Sequence, residues 1–164
     1  MEYNGITLTE DMVWAATIIS IVSLIIRAFY CLTLSRTLKT VAEENRHLKP
    51  WMVWMALVPI VSLYWNFIIA NRMADSLTNE FYDRKIAEEE NPGRLFGLSY
   101  AIFVVIASFP LIPSISFVAG IFALYYFIRY WVKIDYFRIL IIEHQRFVDK
   151  NNKQDEISRN NEIS

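Results

Sequence analysis

The stretch MVWAATIISIVSLIIRAFYCLTL occupies residues 12–34, and Arg27 is its only charged residue. The hydrocarbon core of a bilayer is about 30 Å thick, so a helix that crosses it needs about 17–25 mostly apolar residues. The quoted stretch meets this requirement. Three more apolar stretches follow it along the chain, at residues 51–71, 95–110 and 114–132. The sequence therefore predicts four membrane-spanning segments.

These segments are expected to be helices. No backbone group can remain unpaired in lipid, so a spanning segment is a helix or part of a closed barrel. The four stretches are continuously apolar, whereas barrel strands alternate. Apolar residues make up 55% of the chain and its mean hydropathy is +0.29, which favours lipid over a soluble bundle as the surroundings. We therefore expect an all-α fold, an integral membrane four-helix bundle.

The chain is predicted to form one membrane domain, residues 1–148, followed by a polar tail, residues 149–164. Apolar residues at helical spacing continue past the first two spans, so the helices are expected to extend beyond the bilayer. The tail is rich in Asn, Lys and Glu and has no aromatic residue, so it is expected to be disordered. Pro59 is expected to kink the second span, because proline removes a backbone hydrogen bond.

The connections between the spans carry further signals. Residues 109–114 contain no charge and predict that spans three and four form an antiparallel hairpin. The segment before the first span has no basic residue, so this span is not expected to be a cleaved signal peptide. Cys31 is the only cysteine, which excludes an internal disulfide and a cysteine metal cluster.

Orientation follows from the basic residues in the loops, since Lys and Arg concentrate on the cytoplasmic side. If both termini are cytoplasmic, eight basic residues flank the spans on the inner side and four on the outer side. The acidic leader opposes this choice, but the count favours both termini in the cytoplasm. The inner residues would be Arg72, Arg84, Lys85, Arg94, Arg129, Lys133, Arg138 and Arg146, and the outer ones Arg36, Lys39, Arg46 and Lys49.

Arg27 is the most unusual residue of the first span. A charge within a span is costly and usually faces protein or water. Ala16, Ser20 and Ser23 share one helix face with Arg27. This face is either a polar track for an anion or headgroup, or a stripe of small residues on which another helix packs. The second interpretation is favoured, with Arg27 extending its side chain to the membrane surface.

Two other groups of residues are candidates for sites. Arg129, Lys133 and Arg138 are interleaved with aromatic residues, and both types favour the headgroup layer, so we expect them to bind anionic lipid headgroups. Polar residues also mark the end of the second span, where Arg72 could pair with Asp75 at i,i+3. A solvated helix end is favoured there over a site. The polar candidates within or beside the spans are Arg27, Asn66, Asn71 and Asp75.

Several chemistries are not predicted for this chain. His47 and His144 lie outside the spans, where they could not hold a haem between membrane helices. The sequence has no zinc-protease histidine pair, phosphate-binding glycine loop or nucleophile elbow. We therefore expect no catalytic residue, no cofactor, no bound metal and no nucleic-acid partner.

The segment LKPWMVWMALVPIVSLYWNFIIANRMADSLTNEF, within residues 46–85, resembles a motif of uncharacterised bacterial membrane proteins, especially from Bacteroidetes. That motif has a proline, a Trp-rich run, a Pro–Trp core and a polar Ser-Leu-x-x-Glu-Phe exit. The resemblance implies a small four-helix membrane protein of unknown function and supplies no catalytic residues. The matching positions are Pro50, Trp54, Pro59, Trp65, Ser76, Leu77, Glu80, Phe81 and Arg84.

The expected function is that of a non-enzymatic multi-pass protein of the bacterial inner membrane, which assembles with or regulates other membrane proteins or further copies of itself. A subunit of a small oligomeric transporter or channel is the first alternative. Spans three and four have almost no polar residues, so one copy could not line a wet path. A lipid-modifying enzyme is the second alternative, disfavoured because no paired acids or histidines lie at a span end.

Overall fold

A computed structural model describes residues 2–3, 6–7, 9–86, 89–109 and 112–163. The first two elements are short antiparallel strands, and the described residues after them are almost entirely helical. The elements are β1 (Glu2–Tyr3), β2 (Ile6–Thr7), α1 (Glu10–Thr40), two 3-10 segments (Glu43–Asn45 and Met52–Leu57), α2 (Pro59–Asp83), α3 (Arg94–Ser108) and α4 (Pro113–Ile163).

The all-α architecture with four sizable helices is confirmed. In the described part of the chain, α1 and α4 are long and apolar enough to cross a membrane, and α3 is apolar but shorter. The 31 residues of α1 extend about 46 Å, more than a bilayer requires. Its first turn carries Glu10 and Asp11, whose negative charges are favourable at the positive end of a helix dipole.

The second predicted span is not one continuous helix. Its first half forms the 3-10 segment Met52–Leu57, and Val58 is extended before α2 begins. Pro59 is therefore the first residue of a helix and does not kink one, since its missing N–H costs nothing at that position. The prediction of a kink at Pro59 was wrong.

Three helices run in one direction and α3 runs in the opposite direction. The end of α1 meets the end of α2, since the Ala42 N–H donates to Glu80 Oε2 over 2.9 Å. The connectors at residues 35–50 and 72–94 are therefore in contact. A crossing along residues 51–71 would separate these connectors by a bilayer, so this contact is incompatible with the expected threading of four crossings.

The helices α3 and α4 form the predicted antiparallel hairpin. Gly97 lies against Tyr130, and the rings of Tyr100 and Phe127 lie 5.3 Å apart, so residue numbers rise along one helix as they fall along the other. Pro110 and Leu111, at the predicted turn, lie outside the described residues. Gly93 is the N-cap residue just before α3, and its φ of +72° is a conformation that favours glycine.

The buried core lies at one end of the molecule. It contains the C-terminal part of α1, the 42–58 connector, most of α2, the start of α3 and the middle of α4; we call this end the cap. At the other end, apolar side chains are exposed on α1, α3 and α4. The largest fully buried cap side chains include Tyr130, Phe137, Leu34, Leu38, Leu48, Ile69, Met73, Leu77, Ile134 and Ile141.

The C-terminal tail differs from its prediction. Residues 149–163 continue α4 as a helix, whereas composition predicted disorder. Extending an existing helix avoids the cost of nucleation, and Lys, Gln, Glu and Arg are good helix formers. Every side chain from Gln145 to Asn160 is exposed, so this extension projects beyond the core of the cap.

Gly97 gives a test of the packing between α2 and α3. An added Cβ would lie 2.8 Å from Ala70 Cβ and 2.9 Å from a ring carbon of Tyr130. We expect Gly97→Ala to destabilise the fold by about 1–3 kcal/mol through overpacking, measured by thermal unfolding in detergent. Gly120→Ala is the matched control, because nothing lies within 4 Å of its added Cβ. Equal melting temperatures for the two variants would contradict this packing.

Candidate functional site

A buried carboxylate joins three segments of the cap. Glu80 on α2 is 1% exposed. Its Oε2 accepts the Ala42 N–H over 2.9 Å and the Asn45 side-chain amide over 3.1 Å. Its Oε1 accepts from Arg84 Nε over 2.6 Å, one turn further along α2. The Asn45 amide also donates to Asp83 over 2.6 Å, so the end of α1 and the following connector are bound to α2 at two acids.

A second set of polar contacts binds the connector to α2 at residues that precede Glu80. Ser76 Oγ accepts the His47 backbone N–H over 2.9 Å and donates to the Arg72 carbonyl over 2.7 Å. Arg72 in turn donates to the His47 carbonyl over 3.2 Å. The side chain of Asn79 lies 2.9 Å from His47 Nε2. These contacts satisfy backbone groups of a segment that has no regular structure, as buried backbone groups require.

Both sets of contacts are suited to holding the fold together. Glu80 is paired with Arg84 and accepts three hydrogen bonds, so its oxygens are occupied by groups of the protein itself. No group of three or more His, Cys, Asp or Glu side chains with metal-binding geometry occurs among the described residues. We therefore assign this network to the structure of the cap.

The polar candidates at the end of the second predicted span do not form one site. Asn66 is buried, whereas the Asn71 amide is exposed and donates to the Phe67 carbonyl over 3.0 Å. Asp75 pairs with Arg94 at the start of α3, and not with Arg72, the partner that the i,i+3 spacing made possible. This ion pair links α2 to α3.

Aromatic rings from three helices meet at the boundary between the cap and the apolar end. The ring of Tyr30 lies 4.9 Å from that of Phe127, 6.2 Å from that of Trp131 and 6.4 Å from that of Tyr100. Trp131 Nε1 also donates to Thr33 Oγ1 over 3.0 Å. Offset and edge-on ring pairs of this kind stabilise by about 0.5–1.5 kcal/mol each beyond area burial. This aromatic cluster joins α1 to the α3–α4 hairpin.

A crevice opens just beyond the aromatic cluster, where α1 separates from the hairpin. Its volume is about 230 Å³. Arg27 of α1 lies on one wall. The other lining residues are Ser23, Ile26, Tyr100, Val104, Ala123, Leu124 and Phe127.

The small residues on the Arg27 face do not pack against another helix of this chain. Ala16, Ser20 and Ser23 are exposed, and the Ser20 hydroxyl donates back to the Ala16 carbonyl over 2.8 Å. Every side chain from Thr9 to Ile26 is exposed. The expected helix packing on this stripe is therefore wrong for contacts within the chain.

The predicted headgroup residues have partners within the protein. Lys133 pairs with Glu89, and its ammonium lies 5.0 Å from the ring centre of Phe96. Arg138 pairs with Asp135 over 2.7 Å. Arg129 is exposed and lies 5.4 Å above the same Phe96 ring. Headgroup binding by these residues stays a prediction.

Comparisons with protein-family models, curated proteins and solved structures found no match to this chain. The resemblance of residues 46–85 to a bacterial family therefore stays a prediction. The structure does explain that motif in physical terms, because Ser76, Glu80 and Arg84 hold the connector while Leu77 and Phe81 are buried in the cap.

Glu80 gives the second test. Glu80→Ala would leave the donors of Ala42, Asn45 and Arg84 without their acceptor. We expect a loss of about 3 kcal/mol or more in unfolding free energy, as for removal of one partner of a buried ion pair. Glu43→Ala is the control, since this exposed acid lies 3.7 Å from Arg46 and such surface pairs contribute little. Similar losses for both variants in chemical denaturation would refute the assigned role of Glu80.

Proposed function

We propose that this chain is a non-enzymatic integral protein of the bacterial inner membrane, which anchors the cap and the projecting end of α4 at the cytoplasmic face. The observation that carries the proposal is the separation of the molecule into two ends. One end exposes apolar side chains on three helices, and the other buries its core and its polar network. Monomeric soluble proteins rarely expose an apolar surface of this extent.

In this proposal, α1 crosses the bilayer once. Its largely exposed, apolar part, residues 12–29, is about 27 Å long, close to the thickness of the hydrocarbon core. Glu10 and Asp11 lie at its outer end. The aromatic cluster around Tyr30 lies at its inner end, where rings favour the headgroup layer.

The α3–α4 hairpin enters the membrane from the cap side and returns without crossing it. From the aromatic cluster, α3 continues about 12 Å from Tyr100 to its end at Ser108, and α4 covers about 21 Å between Pro113 and Phe127. The corresponding part of α1, from Tyr30 to Glu10, is about 30 Å long. A hairpin shorter than the hydrocarbon core needs no polar residue at its turn, in agreement with the uncharged residues 109–114.

The basic residues support this threading over the one expected from sequence. With a single crossing, the eight and the four basic residues counted above all lie on the cap side. Lys and Arg concentrate on the cytoplasmic side, so the cap is cytoplasmic. The leader, with Glu2, Glu10 and Asp11, then lies outside, and the two termini are on opposite sides of the membrane.

Assembly with another protein is the role that best fits the projecting part of α4. Ile141 is the last fully buried residue of this helix among those whose side chains are described. Beyond it, residues 142–160 extend about 28 Å, with Phe147 and Ile157 both more than 60% exposed. A helical extension of this length, with apolar side chains left open to solvent, is suited to binding another membrane component or a second copy.

Cysteine accessibility in intact cells tests the threading. We expect a membrane-impermeant maleimide to label Thr9→Cys, and to label Glu44→Cys and Asn152→Cys only after the cells are opened. The wild-type chain is the control, because its single Cys31 is buried. Four crossings with both termini inside would give external labelling at position 44 and none at position 9.

The same assay tests whether the hairpin returns. Ser114→Cys lies at the start of α4 and is exposed in the structure. A returning hairpin keeps this position in lipid, so the impermeant reagent should fail to label it both before and after the cells are opened. A membrane-permeant maleimide of similar reactivity, applied after solubilisation, shows that the thiol is competent. External labelling would show that the hairpin crosses.

A truncation tests the assembly role. A chain that ends at Val148 keeps every fully buried residue of the described core, so we expect its membrane insertion and melting temperature to be unchanged. It should lose the larger complex that the full chain forms on native electrophoresis in mild detergent. A complex of unchanged composition would show that the projecting helix is not the contact surface.

A further inference from the structure

The crevice between α1 and the hairpin combines an apolar lining with one charge. Five of its lining residues are aliphatic or phenylalanine, and Arg27 is the only charged one. In the proposed threading the crevice lies in the inner leaflet and opens to lipid. A molecule that binds in the crevice would therefore come from the membrane.

Among the described residues Arg27 has no carboxylate salt-bridge partner, in contrast to several arginines of the cap. Arg84 pairs with Glu80, Arg94 with Asp75 and Arg138 with Asp135. Among the described residues no acid forms a salt bridge with Arg27, and none lines the crevice. A guanidinium in apolar surroundings is costly by itself, so an anion bound beside Arg27 would be stabilised there.

The depth of Arg27 matches the phosphates of the inner leaflet. Arg27 precedes Tyr30 by about one helical turn, and Tyr30 packs on Trp131 at the aromatic boundary. A long arginine side chain can extend over such a distance toward the headgroup layer. Guanidinium also binds phosphate through two parallel hydrogen bonds, a geometry that lysine lacks.

We infer that the crevice binds one anionic phospholipid, with its phosphate on Arg27 and part of an acyl chain against Val104, Leu124 and Phe127. The inference rests on the proposed membrane location. An anionic headgroup is preferred to a zwitterionic one, because an ammonium group beside Arg27 would find no carboxylate in the crevice. The Ser23 and Tyr100 hydroxyls are the other polar groups of the lining.

Native mass spectrometry tests the site on the full chain released from nanodiscs of equal parts phosphatidylethanolamine and phosphatidylglycerol. The wild type should retain one phosphatidylglycerol. Arg27→Gln should lower the ratio of lipid-bound to lipid-free protein at least about fivefold, the factor that corresponds to about 1 kcal/mol for one basic residue near anionic lipid. Val104→Phe should lower it too, because it fills the crevice and leaves the charge.

Arg36→Gln is the matched control, since Arg36 is an exposed arginine on the same helix and lies outside the crevice. It should retain lipid like the wild type, and Arg27→Lys should retain an intermediate fraction. Unfolding temperatures identify any variant that fails to fold. If Arg27→Gln fails to fold, the lipid retention of the two single variants Val104→Phe and Arg27→Lys tests the site.

Three results would overturn the lipid site: retention by Arg27→Gln equal to the wild type, equal retention of phosphatidylethanolamine, or equal loss in Arg36→Gln. Displacement of the lipid by inorganic phosphate alone would assign the site to a free anion instead. The proposed function is judged separately, by whether alkaline carbonate leaves the protein in the membrane. A chain that stays in the membrane without a retained lipid contradicts only the lipid site.

Discussion

The buried carboxylate of Glu80 is the interaction on which the arrangement of the helices depends. It accepts hydrogen bonds from the end of α1, from the connector after it and from its own helix. A carboxylate at this depth is costly unless all of these donors are present, so the contacts form together. The C-terminal ends of α1 and α2 are thereby bound to each other. The connector that follows α1 must therefore return the full length of α2 to reach the start of that helix.

The return of the chain explains why hydropathy alone could not distinguish the first predicted span from the second. An apolar run indicates that its residues are removed from water. It does not distinguish contact with lipid from burial in a protein core. In α1 the run faces outward, whereas Val53, Ala56 and Ile69 are buried in the cap. Pro59 was equally ambiguous from sequence, since proline suits both a kinked membrane helix and the first turn of a new one.

The α3–α4 hairpin could be predicted from the residues of its turn. Contacts between residues far apart in the sequence could not be predicted from any pattern in the chain. Residues 109–114 are an uncharged, proline-containing turn, and the helices on either side pack as expected. By contrast, Asn45 and Glu80 are 35 residues apart, and no spacing rule connects them. Composition also failed for the tail, because it ignores that α4 already provides a helix to extend. Arg27 was recognisable for the opposite reason, as a charge where charges are rare.

The crevice beside Arg27 follows from the unequal lengths of the helices. From the aromatic cluster the α4 arm of the hairpin covers about 21 Å, whereas α1 continues about 30 Å to Glu10, so the N-terminal end of α1 extends beyond the hairpin. Tyr30 makes the last ring contacts between α1 and the hairpin, and Arg27 lies one turn beyond it. On the N-terminal side of Arg27, the side chains of α1 are exposed on every face of the helix. The small residues Ala16 and Ser20 are exposed as well. In the proposed threading, Arg27 therefore marks the level at which contact with protein gives way to contact with lipid.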